Sequence, residues 1–138
     1  MKKNLQIFIF LVFGISNIFA NDFREVKEIT LKKDEQTKIL VKYGTFEKLF
    51  KFRWTLYTNE GLVIHRSYDR KVAQNVLYLN HKNQSFRVEL KARGADNYNV
   101  PYVLVKFKEF KYETKEAVFE LFLSDEKQQL ELKYLDKA

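Results

Sequence analysis

The chain of 138 residues contains no cysteine, one proline, four glycines and two histidines. Disulfides, thiol nucleophiles and thiolate metal sites are therefore excluded, and the length suits one domain able to hold a core without a covalent staple. Lysine and arginine outnumber acidic residues by 25 to 18, a net charge of +7; this permits attraction to an anionic surface or acidic partner, solvated strand faces with a modest lysine excess being the simpler reading, while bases interleaved with glutamates, not clustered, argue against nucleic acid.

Lys2 and Lys3 precede an apolar run over residues 7–13, then the softer Gly14-Ile15-Ser16-Asn17-Ile18-Phe19 ends on small Ala20. This is the layout of a cleavable secretory signal peptide, residues 1–20, cut after Ala20; Ile18 stands at the −3 position, where a small residue is usual. The stretch 7–20, broken by Ser16 and Asn17, falls short of the about 20 apolar residues of a membrane-spanning helix. No cysteine follows the cut, which rules out lipid attachment there. The lysine-rich composition and the Met-Lys-Lys start point to a bacterial envelope. The mature chain, residues 21–138, is expected to be a single periplasmic or secreted domain that does not span the membrane.

From residue 26 onward apolar side chains recur at every second position. Ile29 and Leu31 mark a first strand, then a polar turn, Asp34-Glu35-Gln36, then Ile39, Val41 and Tyr43. Phe50, Phe52, Trp54 and Leu56 alternate with Lys51, Arg53, Thr55 and Tyr57, which predicts a strand with the first four on its core face and Tyr57 opposite. Thr58-Asn59-Glu60-Gly61 closes a hairpin onto Leu62-Val63-Ile64. Val72/Val76 and Ala73/Leu77 have helical spacing behind a potential cap, Asp69, so a short helical turn is expected over 69–74. Asn80-His81-Lys82-Asn83 separates the run 76–79 from the alternation of Phe86, Val88, Leu90 and Ala92. In residues 102–113, Val103, Val105 and Phe107 share one parity and Phe110 and Tyr112 the other; an extra residue at Lys108-Glu109 would return both sets to the core. Phe119, Leu121 and Leu123, a turn at 124–127, and Leu130, Leu132 and Tyr134 complete the pattern. Eight or nine strands predict an all-β domain: an antiparallel β-sandwich of Ig-like or Greek-key type, with a small β-barrel as the alternative.

Chemical constellations are sparse. His65, Ser67 and Asp69 carry triad residue types, but on one strand the ends lie about 13 Å apart with serine in the middle, where a triad needs histidine. His65 and His81 have no metal-ligand spacing, there is no glycine-rich phosphate loop, and no carboxylate pair stands out. Asn83-Gln84-Ser85 matches a glycosylation tripeptide, a chance match in a bacterial setting. Trp54 belongs to a buried row and is expected in the core. The contact candidates are Tyr57 and the residues of the long polar loop 94–101 with its flank: Arg93, Asp96, Asn97 and Tyr98. The expectation is a non-enzymatic domain with no cofactor that binds another cell-envelope protein or an anionic surface. A barrel carrying a small hydrophobic ligand or lipid is the competing reading.

Overall fold

A computed structural model describes residues 23–91 and 100–135. Nine strands run through them: β1 (Glu25–Lys32), β2 (Thr37–Tyr43), β3 (Phe46–Thr58), β4 (Gly61–Tyr68), β5 (Lys71–Tyr78), β6 (Ser85–Glu89), β7 (Tyr102–Lys111), β8 (Glu116–Ser124) and β9 (Glu131–Tyr134). They form two antiparallel sheets, a four-stranded one ordered β1-β8-β7-β6 and a five-stranded one ordered β5-β4-β3-β2-β9. The sheets do not close on each other, so the barrel alternative fails and the arrangement is that of a sandwich. Among the described residues no helix is long and apolar enough to cross a membrane.

Alternation places Ile39, Val41, Phe50, Phe52, Trp54, Leu62 and Ile64 of one sheet against Leu31, Phe86, Val88, Val105, Phe107, Phe119 and Leu121 of the other. Phe52 sits at the centre, edge-on to Phe86 at 6.1 Å and to Phe119 at 5.3 Å. Such offset ring contacts add to the burial energy that holds two sheets together. Trp54 lies in this core, and its Nε1 donates to the Leu31 carbonyl oxygen at 2.8 Å. That bond fastens β3 to the opposite sheet at its one polar atom.

The hairpins explain a departure from expectation. Asn59 and Glu60 have φ of 51° and 66°, and Asp69 and Arg70 have 51° and 67°. Two successive positive φ values define the primed turn that matches the twist of a tight hairpin. Asp69 is thus the first residue of a two-residue turn, and no helix forms over 69–74. The helical spacing of Val72/Val76 and Ala73/Leu77 is overridden because an extended 71–78 pairs along its whole length with β4, Tyr68↔Lys71 through Gly61↔Tyr78. A single isolated turn of helix offers the chain no such ladder.

Both long strands carry a bulge. In β7 the register slips between Phe107 and Glu109, so Lys108 is extra and Phe110 returns to the inner side, whereas Tyr112, expected in the core with it, lies just past the end of the strand and is 68% exposed. The irregularity in β3, between Trp54 and Leu56, is one that the alternating pattern conceals. Thr55 is the extra residue there. Beyond it the parity inverts: Leu56, expected in the core, is 49% exposed, and Tyr57, expected outside, packs against the core.

Candidate functional site

The two ends of the sandwich have different chemistry. At one end lie the β1–β2 turn, the β3–β4 turn and the β7–β8 loop. There the two bulges bring aromatic rings together: Tyr57 stacks on Phe110 at 4.1 Å with 19° between planes, and Trp54 meets the same ring edge-on at 5.6 Å. The Tyr57 and Tyr112 hydroxyls are 3.0 Å apart. Burial, and then this hydrogen bond, push the Tyr57 hydroxyl up to about 12. A phenol that remains protonated at neutral pH serves here as a hydrogen-bonding lid on a packed cluster.

The opposite end gathers the β2–β3 turn, the β4–β5 turn, the end of β6 and the β8–β9 loop. Lys48 of β3 forms an ion pair with Asp69 of the β4–β5 turn at 3.1 Å. Tyr43 first, and Asp69 second, hold the Lys48 ammonium above its ordinary value. Lys48 and Lys91 both lie over the Tyr43 ring, at 5.8 and 5.4 Å from its centre, while Lys91 also donates to the Gln129 side-chain oxygen at 2.7 Å. Tyr68, on the inner face of β4, donates its hydroxyl to the Leu90 carbonyl oxygen at 2.5 Å, and burial raises it well above the usual tyrosine value. Lys48, Tyr68, Asp69, Lys71, Glu89 and Lys91 line an open cleft of about 380 Å³. Three ammonium groups against two carboxylates leave it cationic, with Tyr43 and the exposed Phe46 beside it, 5.5 Å apart.

This end is built on a buried anchor. Asp125 begins the β8–β9 loop; one carboxylate oxygen accepts from the Leu130 N–H at 2.8 Å and from Arg24 at 2.7 Å, and the other from the Gln129 N–H at 3.1 Å. Arg24 also donates to the Leu130 carbonyl oxygen. The loop is thereby held in the place from which Gln129 meets Lys91.

Of the residues singled out from the sequence, Arg93, Asp96, Asn97 and Tyr98, like Ala20 and the signal segment, lie outside the described residues. The flanks of the 94–101 loop are described, and the Leu90 N–H bonds to the Pro101 carbonyl oxygen at 2.9 Å, joining them at the cationic end. Tyr57 lies at the far end, half-buried. Lys48, Lys71, Lys91, Tyr43 and Tyr68 were not singled out. Their convergence follows from counting turns, since alternate connections of an antiparallel meander fall at the same end. His65 and Ser67 point to the outer face of β4, and Arg66, its inner-facing neighbour, donates to the Asn75 side-chain oxygen at 2.7 Å and lies over Phe86 at 4.9 Å. Among the described residues no three His, Asp or Glu side chains stand together as metal ligands. Comparison with family models, with curated proteins and with solved structures returns no match.

Proposed function

We propose that this chain is an exported, non-enzymatic binding module of the cell envelope that holds an acidic segment of another envelope protein at its cationic end. The observation that carries this reading is the convergence of Lys48 and Lys91 over Tyr43 beside the open cleft shared with Lys71. Aromatic rings flanked by cations suit a carboxylate-bearing peptide: the ring supplies apolar contact area and the ammonium groups supply attraction and steering. The signal-like layout of the first twenty residues supports export to the periplasm or beyond, and the way β1 and β9 each join a sheet away from their sequence neighbour supports a Greek-key type of sandwich. The carrier reading lacks the closed barrel on which it was based, and the interior between the sheets is filled by aromatic and aliphatic side chains.

A photo-crosslinking residue at Phe46, in intact cells, is expected to capture one specific envelope protein. Rebinding of that protein to the purified mature chain should fall about tenfold or more when Lys48, Lys71 and Lys91 are all replaced by Glu. It should also weaken as salt rises from about 0.1 to 1 M, which shortens the Debye length from about 10 to 3 Å. Equal capture by the triple variant, or recovery of the uncrosslinked chain alone, sinks the proposal.

A further inference from the structure

Strand β5 is an edge, and it is built unlike the other three. Sheet edges are ordinarily guarded by charge, brevity or proline, because their unpaired backbone groups accept any passing strand. The edge strand β1 carries Glu25, Lys27, Glu28 and Lys32; β9 is 4 residues long with Glu131 and Lys133; β6 is 5 residues long with Arg87 and Glu89. β5 reads KVAQNVLY over 8 residues, with Lys71 at its start as its one charge. Val72 is 79% exposed, Val76 38% and Tyr78 37%. No described strand pairs with its far side.

Hairpin geometry fixes which backbone groups are on offer. The two-residue turn Asp69-Arg70 makes Tyr68 and Lys71 its closing hydrogen-bonded pair, and bonded and non-bonded pairs then alternate along the ladder. Lys71, Ala73, Asn75 and Leu77 face β4, whereas Val72, Gln74, Val76 and Tyr78 turn their N–H and C=O groups outward. The Tyr78 N–H bears out this phase, since it bonds away from β4, to the Asn83 carbonyl oxygen at 3.0 Å. Val72, Gln74 and Val76 remain as the donor–acceptor set of the free edge.

We propose that β5 pairs with β5 of a second copy, antiparallel about a two-fold axis at Gln74, joining two five-stranded sheets into one. This register is the one in which those three residues serve each other completely: Gln74 meets Gln74, and Val72 meets Val76 twice over, giving about six backbone hydrogen bonds. It is also the register that the charge pattern permits. Lys71 falls opposite Leu77 and never opposite its own copy, so no like charges meet. On the outer face each Val72 covers Val76 of the other copy, continuing the apolar strip of Leu56, Val63 and Val76. The contact is isologous and closes on itself, so it yields a dimer and not a filament. It shares Lys71 with the rim of the cationic cleft, but its pairing residues Val72, Gln74 and Val76 do not line that cleft and the contact does not rest on the binding function proposed above.

The absence of native cysteine makes a direct test available. A Gln74→Cys mature chain is expected to form a disulfide-linked dimer under mild oxidation, because facing residues of a bonded antiparallel pair have Cα atoms about 5.5 Å apart, within disulfide reach. Val72→Cys alone should form no disulfide under the same oxidation, since residue 72 faces residue 76 of the other copy, while the double variant Val72→Cys, Val76→Cys should crosslink. By sedimentation the unmodified mature chain should run at twice its own mass, and both Gln74→Pro and Val76→Lys should restore the monomer with the circular dichroism of the parent. A monomeric parent at high micromolar concentration overturns the proposal, and so does a Val72→Cys chain that crosslinks as readily as Gln74→Cys.

Discussion

Phe52→Ala is expected to lower stability by about 3–5 kcal/mol, while Leu56→Ala, in the same alternating row of the sequence, should stay within about 0.5 kcal/mol of the parent. Phe52 is fully buried, and its ring is contacted by Phe50 within its own strand and by Phe86 and Phe119 across the interface. Removing it costs both the transfer energy of the ring and the cavity left behind, since three aromatic neighbours from two sheets cannot all collapse into the space. Leu56 differs only in lying beyond Thr55. The extra residue turns it outward, where truncation removes little packing. Urea denaturation of both variants gives the comparison through the midpoint, with the m-value checking that the unfolded states are equivalent. Equal losses at the two positions would mean that β3 runs without its bulge.

The second large effect is expected at Asp125. Asp125→Ala should cost about 3 kcal/mol, because it leaves the buried Leu130 donor and the half-buried Gln129 donor without an acceptor and releases Arg24 at the same time. The carboxylate side chain is 2% exposed against 36% for the Arg24 side chain, so the penalty lies mainly in the orphaned N–H groups, not in the half-solvated ion pair. Asp125→Asn separates the two: it keeps an acceptor oxygen and should lose about half as much. Hydrogen exchange gives the local readout, with faster exchange at the Leu130 and Gln129 amides in the alanine variant. An alanine variant of parental stability and unchanged protection would show that this carboxylate does not hold the β8–β9 loop.

Much of the fold was legible because strand side chains have a period of two, and a half-buried sheet writes that period into the sequence directly. The rows Phe50-Phe52-Trp54 and Phe86-Val88-Leu90 are core rows, and the clash of parity between Phe107 and Phe110 located the Lys108 bulge. The bulge at Thr55 left no such trace, since both possible inward residues, Leu56 and Tyr57, are large and apolar enough to satisfy either parity. Residues 69–74 misled for a related reason: with valines and an alanine spaced to suit helix and strand alike, only the long-range ladder to β4 decides. The candidate site was least legible. Lys48, Lys71 and Lys91 are each unremarkable in a lysine-rich chain, and their convergence depends on which turns share an end, a property of topology and not of any local motif. Of the two tyrosines expected to reach outward, Tyr57 was misplaced by a single residue and Tyr98 lies outside the described residues.

The bulges at Thr55 and Lys108 also bear on how this chain can change. Each supplies one inserted residue on its own sheet, and the stacked pair Tyr57 and Phe110 lies just beyond both. Deleting Thr55 would leave Trp54 and Tyr57 two positions apart on one face, and deleting Lys108 would do the same for Phe107 and Phe110. Each deletion therefore keeps its ring inward and removes only the local bend and added twist of the strand. Either extra residue can be lost on its own without exposing the stacked pair, so lineages related to this chain are free to carry both, one or neither.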